Sequence, residues 1–239
     1  MVNHVNSSDR TSVEAVIRVT SFLSADVENG NRTNADRAYD HIREQLIMLD
    51  IRPGDPINDD QLAAALGLGR TPVREALKRL ERERLVIAYP RRGTFATMVD
   101  LTDLADISEI RKQLEPTAAA RAARTATSQA CDELSRLAAE ISAVTDDDEP
   151  HEVLRKDVHV HRAIYRASGN PHLEDILVSL DAHATRIWCL FLDRLPGVAD
   201  HVREHIPLIE AIIAGDPEAA AAQTLAHVTG FEQTIRSLL

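Results

Sequence analysis

Polar and apolar positions divide the chain into three stretches. Residues 1–33 are rich in Ser, Asn, Thr and Asp; a short helix is expected over 13–22 inside an otherwise mobile tail. From Asn34, the side chains of Ala38, Ile42, Leu46 and Leu49 share one helical stripe, with Asn34 as cap, and Arg52-Pro53-Gly54-Asp55-Pro56 stops the helix. Asn58-Asp59-Asp60-Gln61 has the form of a capping box and predicts a helix that buries Leu62, Ala65 and Leu66 and ends at Gly67. A short turn follows. Thr71 as N-cap and Pro72 at the first helical position then predict a second helix. Val73, Leu77 and Leu80 line its apolar side, and Arg70, Arg74, Lys78 and Arg82 step by four along the other. Runs rich in β-formers at 85–89 and 94–99, joined by Pro90-Arg91-Arg92-Gly93, read as a hairpin with a basic tip. Helix, helix, turn, helix and hairpin together make a winged helix-turn-helix over residues 34–99.

Residues 100–239 change character. They are Ala-rich, with apolar positions three and four apart and no convincing alternating strand. Breaks fall at 146–150, 169–171, 196–197 and 215–217, and Pro116 kinks or restarts a helix within 103–126. This predicts about six helices in an antiparallel bundle. The fold class is therefore mostly α: an N-terminal winged helix-turn-helix with a small β hairpin, then an all-α bundle. The acidic run at 146–149 reads as a solvated loop.

Charge sharpens this division. The chain of 239 residues carries a net charge of -11, yet residues 69–93 hold eight Lys/Arg against three acids. An acidic total argues against a protein that coats nucleic acid indiscriminately, but counterion release depends on local contacts, so a small module with one basic face can still dock on DNA. No apolar run approaches the ~18 to 20 residues needed to span a membrane, and no signal pattern opens the chain. Cys131 and Cys189 have no CxxC spacing. A cytoplasmic location is expected.

The basic helix has a chemical destination. A helix entering the major groove by its N-terminal end presents its first turn to base edges and its N–H groups to phosphate, and the arginine fork matches guanine O6 and N7. Arg70, Thr71 and Arg74 occupy that end, with Arg92 and Gly93 at the hairpin tip. In the second half, Asp157 and His161 lie four apart on one helix face, with His205 and His227 on later helices. One carboxylate and three imidazoles suit a borderline divalent ion such as zinc or nickel. Spacing alone leaves open whether these are ligands or ordinary surface and core histidines, and His159 and His201 offer competing pairs.

Whole motifs go further than spacing. Arg52-Pro53-Gly54, Gln61-Leu62-Ala63, Gly69-Arg70-Thr71-Pro72-Val73-Arg74-Glu75-Ala76-Leu77 and Pro90-Arg91-Arg92-Gly93-Thr94-Phe95 resemble the GntR family of bacterial repressors. The resemblance implies base or phosphate contacts from Arg70, Thr71, Arg74, Arg92 and Gly93. Gly69 departs from the family's usual Ser or Thr. Arg84 replaces a usual glycine, which costs ~1 kcal/mol if that site is left-handed; a shifted helix end is expected there.

Arg111-x-x-Leu114-Glu115, Asp157-x-x-x-His161, Ser168-Gly169-Asn170, Glu204-His205 and Gly215-Asp216 before His227 are similar to the FCD effector domain of the FadR-like branch. That resemblance implies a metal held by Asp157, His161, His205 and His227, and a small carboxylic acid as effector. Arg111 is the first candidate for its polar clamp, ahead of Arg162 and Arg186. The expected function is a ligand-responsive transcription regulator that binds a two-fold operator in double-stranded DNA as a homodimer. The alternatives are a metal-dependent hydrolase with a DNA-targeting module, which the absence of HExxH disfavours, and a constitutive architectural protein, which has no need of a large acidic domain.

Overall fold

The computed structural model describes residues 32–195 and 197–239. The expected tail and its helix over 13–22 lie outside these, apart from Arg32 and Thr33, and so does Pro196. The chain forms two compact units that meet at Met98 and Val99.

The first unit holds α1 (Asn34–Ile47), β1 (Pro56–Ile57), α2 (Asp59–Leu66), α3 (Arg70–Arg82), β2 (Val86–Tyr89) and β3 (Gly93–Ala96). Helix α1 is capped by Thr33, not by Asn34. The Thr33 hydroxyl oxygen accepts from the Asp36 backbone N–H while the Asp36 carboxylate accepts from the Thr33 N–H, a reciprocal capping box. Ala38, Ile42 and Leu46 are fully buried as the stripe predicts, and α1 packs along α3 through Val73, Ala76, Leu77 and Leu80. Each buried Val, Leu or Ile among them contributes roughly 1.5 to 3 kcal/mol by leaving water. In α2 the buried residue is Ala63; Leu62 and Leu66 are half-buried and Ala65 is exposed, because the short helix rotates its middle toward α3.

Three further details depart from the sequence reading. Helix α3 begins two residues early, with Gly69 as an N-cap that offers no side-chain hydrogen bond, so Thr71 and Pro72 sit inside the first turn. The sheet has three antiparallel strands in the order β1-β3-β2, because the 52–56 breaker continues into a two-residue strand on β3. The third is at Arg84, which has a φ of 59°. Helix α3 closes on it in a Schellman arrangement, in which Arg84 N–H donates to the Glu81 carbonyl at 3.1 Å and Leu85 N–H to the Leu80 carbonyl at 3.0 Å. The helix end has not shifted. The left-handed turn is retained, and arginine bears its cost.

The second unit is all helical: α4 (Asp103–Thr125), α5 (Ser128–Ser142), α6 (Pro150–Ala167), α7 (Pro171–Phe191), a 3₁₀ turn (Leu192–Arg194), α8 (Val198–Arg203), α9 (His205–Ile213) and α10 (Pro217–Leu238). Among the described residues, seven α-helices replace the expected six, because the segment before the 215–217 break is two helices joined at Glu204. Pro116 neither breaks nor restarts α4, which runs through it. Pro150, Pro171 and Pro217 each start a helix behind a capping Glu149, Asn170 or Asp216. The 146–149 run is exposed loop. Leu134, Ile141, Val160, Ile164, Val202, Ile209 and Ile212 interlock as the main core, and α4 lies along α10. No helix among the described residues is long and apolar enough to cross a membrane.

Candidate DNA interface and candidate metal centre

In the first unit, the basic side chains at the start of α3 are in solvent. Arg70 and Arg74 have side chains 64% and 63% exposed. Arg70 pairs with Asp60, and the Nε of Arg74 donates to Asp59 Oδ2 at 2.7 Å. Both acids belong to the first turn of α2, where they complement that helix's positive end. Ion pairs this exposed are worth roughly 0 to 1 kcal/mol, so a phosphate or a base edge can take over either guanidinium at little cost. Thr71 is also exposed, as are Arg92 and Gly93 at the hairpin tip. The backbone N–H of Arg92 donates to the Tyr89 carbonyl at 3.0 Å, and Gly93 has a φ of 94°, which favours glycine.

The basic stretch is not uniform, however. Arg79 lies with its guanidinium carbon 3.9 Å above the Tyr39 ring and donates to Asp36 at 2.7 Å, tying α3 to α1. It is structural.

In the second unit, Asp157, His161, His205 and His227 come together. One ligand atom from each lies within 4.8 Å of all the others, and all four residues are buried. Helix α6 supplies Asp157 and His161 one turn apart, His205 is the first residue of α9, and His227 lies midway along α10. Each imidazole is held from outside by its Nδ1. In His161 this atom is 3.0 Å from the Tyr165 hydroxyl and 3.5 Å from Glu115 Oε2. In His205 it donates to the Val202 carbonyl at 3.1 Å, and in His227 to Glu204 Oε2 at 3.0 Å. Fixing Nδ1–H in this way leaves Nε2 as the inward lone pair, as in metal-binding histidines. The Nε2 atoms of His161 and His205 stand 3.2 Å apart, near the ligand spacing of roughly 3.3 Å expected around a shared ion with bonds of about 2.0 to 2.1 Å. Asp157 Oδ1 is buried without a hydrogen-bond partner. The donor set fits a divalent ion.

Charge follows the same logic. Burial lowers the pKa of His205 to about 3 and drives that of His227 well down, so both are neutral donors. Burial would lower His161 too, but Asp157 and Glu115 override it and hold the value up at about 9. The centre thus calls for positive charge, from a proton on His161 or from a cation. Burial would raise Glu115, but Arg111 overrides it and brings it down to about 2.

Arg111 is buried beside this centre. It pairs with Glu115, lies 3.8 Å from Asp181, and has its guanidinium carbon 5.3 Å from the Phe231 ring centroid. It lines one cavity with Asp157, His161 and His227, and the space there, including the part open to solvent, is about 240 Å³. Between the side chains as they stand, the room is for about one water-sized occupant. Neither Arg162 nor Arg186 lines it.

Of the competing histidines, His159 is exposed. His201 is in the cavity wall, stacked on His227 and tilted against Trp188, with its Nδ1 3.3 Å from Glu204. Sequence reasoning missed Glu115, Tyr165 and Asp181 as parts of the site. Tyr165 follows His161, and Glu115 follows Arg111, by one helical turn, a usable signal in each case; Asp181 comes from α7 and has none at short range.

Comparison with known proteins agrees with both halves. Residues 34–96 match the bacterial regulatory proteins of the gntR family, and residues 106–230 match the FCD domain. An HTH-type transcriptional regulator in an unstable DNA locus of Streptomyces ambofaciens is 27% identical over 84% of both chains. The Nta operon transcriptional regulator of Aminobacter aminovorans is 30% identical over 74% of this chain and 82% of its own. Among solved structures, E. coli McbR/YncC matches the fold with a TM-score of 0.76 at 22% identity, covering 87% of this chain and 99% of that one. The two sequence relatives are transcriptional regulators, not enzymes, and the hydrolase alternative falls with them. The chain belongs to the GntR family of bacterial transcription regulators, with an FCD domain as its C-terminal half.

Proposed function

We propose that this regulator binds a two-fold operator as a homodimer in the cytoplasm, and that its FCD domain senses a small carboxylic acid at a divalent metal. Arg70, Thr71 and Arg74 enter the major groove, while Arg92 and Gly93 reach an adjacent one. A dimer would bring two α3 helices to half-sites about 34 to 36 Å apart. In the second unit Asp157, His161, His205 and His227 hold the ion, zinc or nickel by ligand type. A bound divalent ion would supply a Lewis-acidic anchor for the effector's carboxylate. Arg111 orients that carboxylate through the guanidinium N–H groups that Glu115 does not occupy. Binding regulates DNA only if it favours one arrangement of the dimer over the other.

One observation carries the metal reading: three imidazoles, each hydrogen-bonded at Nδ1, converge beside a buried Asp157 oxygen that has no hydrogen-bond partner. Metal analysis of purified protein tests it. About one divalent ion per chain is expected in the wild type and a loss in His205→Ala; unchanged stoichiometry in the variant rules out this ligand set.

A further inference from the structure

The metal ligands and Arg111 account for one side of the cavity, and α7 forms another. Asp181, Thr185 and Trp188, spaced by one and two helical turns, all line it. They are 4%, 4% and 3% exposed. The Asp181 carboxylate makes no hydrogen bond to any described residue; Arg111 Nη2, at 3.8 Å, is beyond hydrogen-bond distance. Thr185 donates its hydroxyl proton to the Asp181 backbone carbonyl at 2.9 Å, so its oxygen faces other groups only as an acceptor. The Trp188 Nε1–H is buried without an acceptor. A buried polar group left unmade is costly; Trp188 Nε1–H is one, and the Asp181 carboxylate, with no hydrogen bond of its own, lines the same cavity.

We propose that this face of α7 is a second subsite, which takes a hydroxyl or ammonium group on the carbon next to the effector's carboxylate. Asp181 accepts from that group, and Thr185 offers a second acceptor one turn on. Trp188 Nε1–H and Arg111 donate to the carboxylate. The effector class narrows from small carboxylic acids to 2-hydroxy or 2-amino acids. This rests on the small-acid reading above. A role for Asp181 solely as a charge partner of Arg111 makes a different prediction, because its loss would then weaken every acid alike.

Calorimetric titration of metal-loaded, full-length protein with two matched trios separates these. The first trio is propanoate, 2-hydroxypropanoate and 2-aminopropanoate; the second is butanedioate with its 2-hydroxy and 2-amino forms. In the wild type, at least one substituted acid should bind about tenfold or more tighter than its parent, the yield of one satisfied buried hydrogen bond. Comparing the two substituents identifies which donor is read. In Asp181→Ala that preference should shrink to about twofold or less, the substituted acid losing about fivefold or more beyond whatever its parent loses; metal content and melting temperature verify that the variant is folded. Equal binding within both trios overturns the subsite but leaves the small-acid reading standing. So does a preference that survives in Asp181→Ala, or an equal loss for all acids. No binding by any acid overturns the small-acid reading and the subsite with it.

Discussion

Arginines 70, 74 and 111 are each paired with a carboxylate, yet the pairs do opposite work. At the start of α3 the guanidiniums are nearly two-thirds exposed, and their Asp59 and Asp60 partners are weak holders in water. Around Arg111 the side chains of the arginine and of Glu115 are at most 4% exposed, so the pair cannot be exchanged for water without stranding a charge. Exposure therefore separates a group kept ready for a new partner from one that frames a site. The first unit presents charge for binding, and the second spends charge on position.

Breaking the buried pair gives the largest expected effect. Glu115→Gln strands Arg111 and should lower unfolding free energy by about 3 to 5 kcal/mol, measured by urea denaturation of the metal-free protein. A change under about 1 kcal/mol would remove the contrast. Next is the ion itself: chelation should lower the melting temperature, with a loss of about 2.7 kcal/mol if the free metal stood at a hundredfold its Kd. His205→Ala should melt at the same temperature with or without chelator.

On the exposed side, Arg70→Ala should weaken operator binding by about 1 to 3 kcal/mol in a gel shift with stability changed by less than about 0.5 kcal/mol. Asp60→Asn, which frees Arg70, should strengthen binding modestly. Arg84→Gly should stabilise the first unit by about 1 kcal/mol, since its φ of 59° penalises a side chain; a denaturation midpoint unchanged or lowered would contradict the strain assigned there. The smallest effect concerns pH. Thr33 and Arg79 hold Asp36 down at about 2, against an ordinary value of 3.8. The stabilisation is complete above the ordinary value and is lost as pH falls toward 2. Asp36→Asn should flatten acid unfolding curves in that window.

How much of this was legible in the sequence depended on range. Helix α3 and the wing were readable because their residues act within a few positions of one another: arginines on one face, a glycine at the hairpin tip. The four proposed metal ligands were visible as a chance-prone pattern that only the resemblance to the FCD domain singled out. Strand β1 was missed because two residues show no alternation, and the cap of α1 was misplaced by one because Thr33 and Asn34 are both good caps. Asp181, Thr185 and Trp188 lie i, i+4, i+7 apart, the spacing of any core stripe. Only the fold sets them opposite Arg111, seventy positions from Asp181.

Glu204 and His205 are neighbours in the chain, at the joint where α8 meets α9. One supports His227 from outside, and the other points into the centre itself. A single peptide unit thus acts as a hinge pin for two of the three imidazoles. Any tilt of α8 against α9 would therefore disturb both imidazoles together.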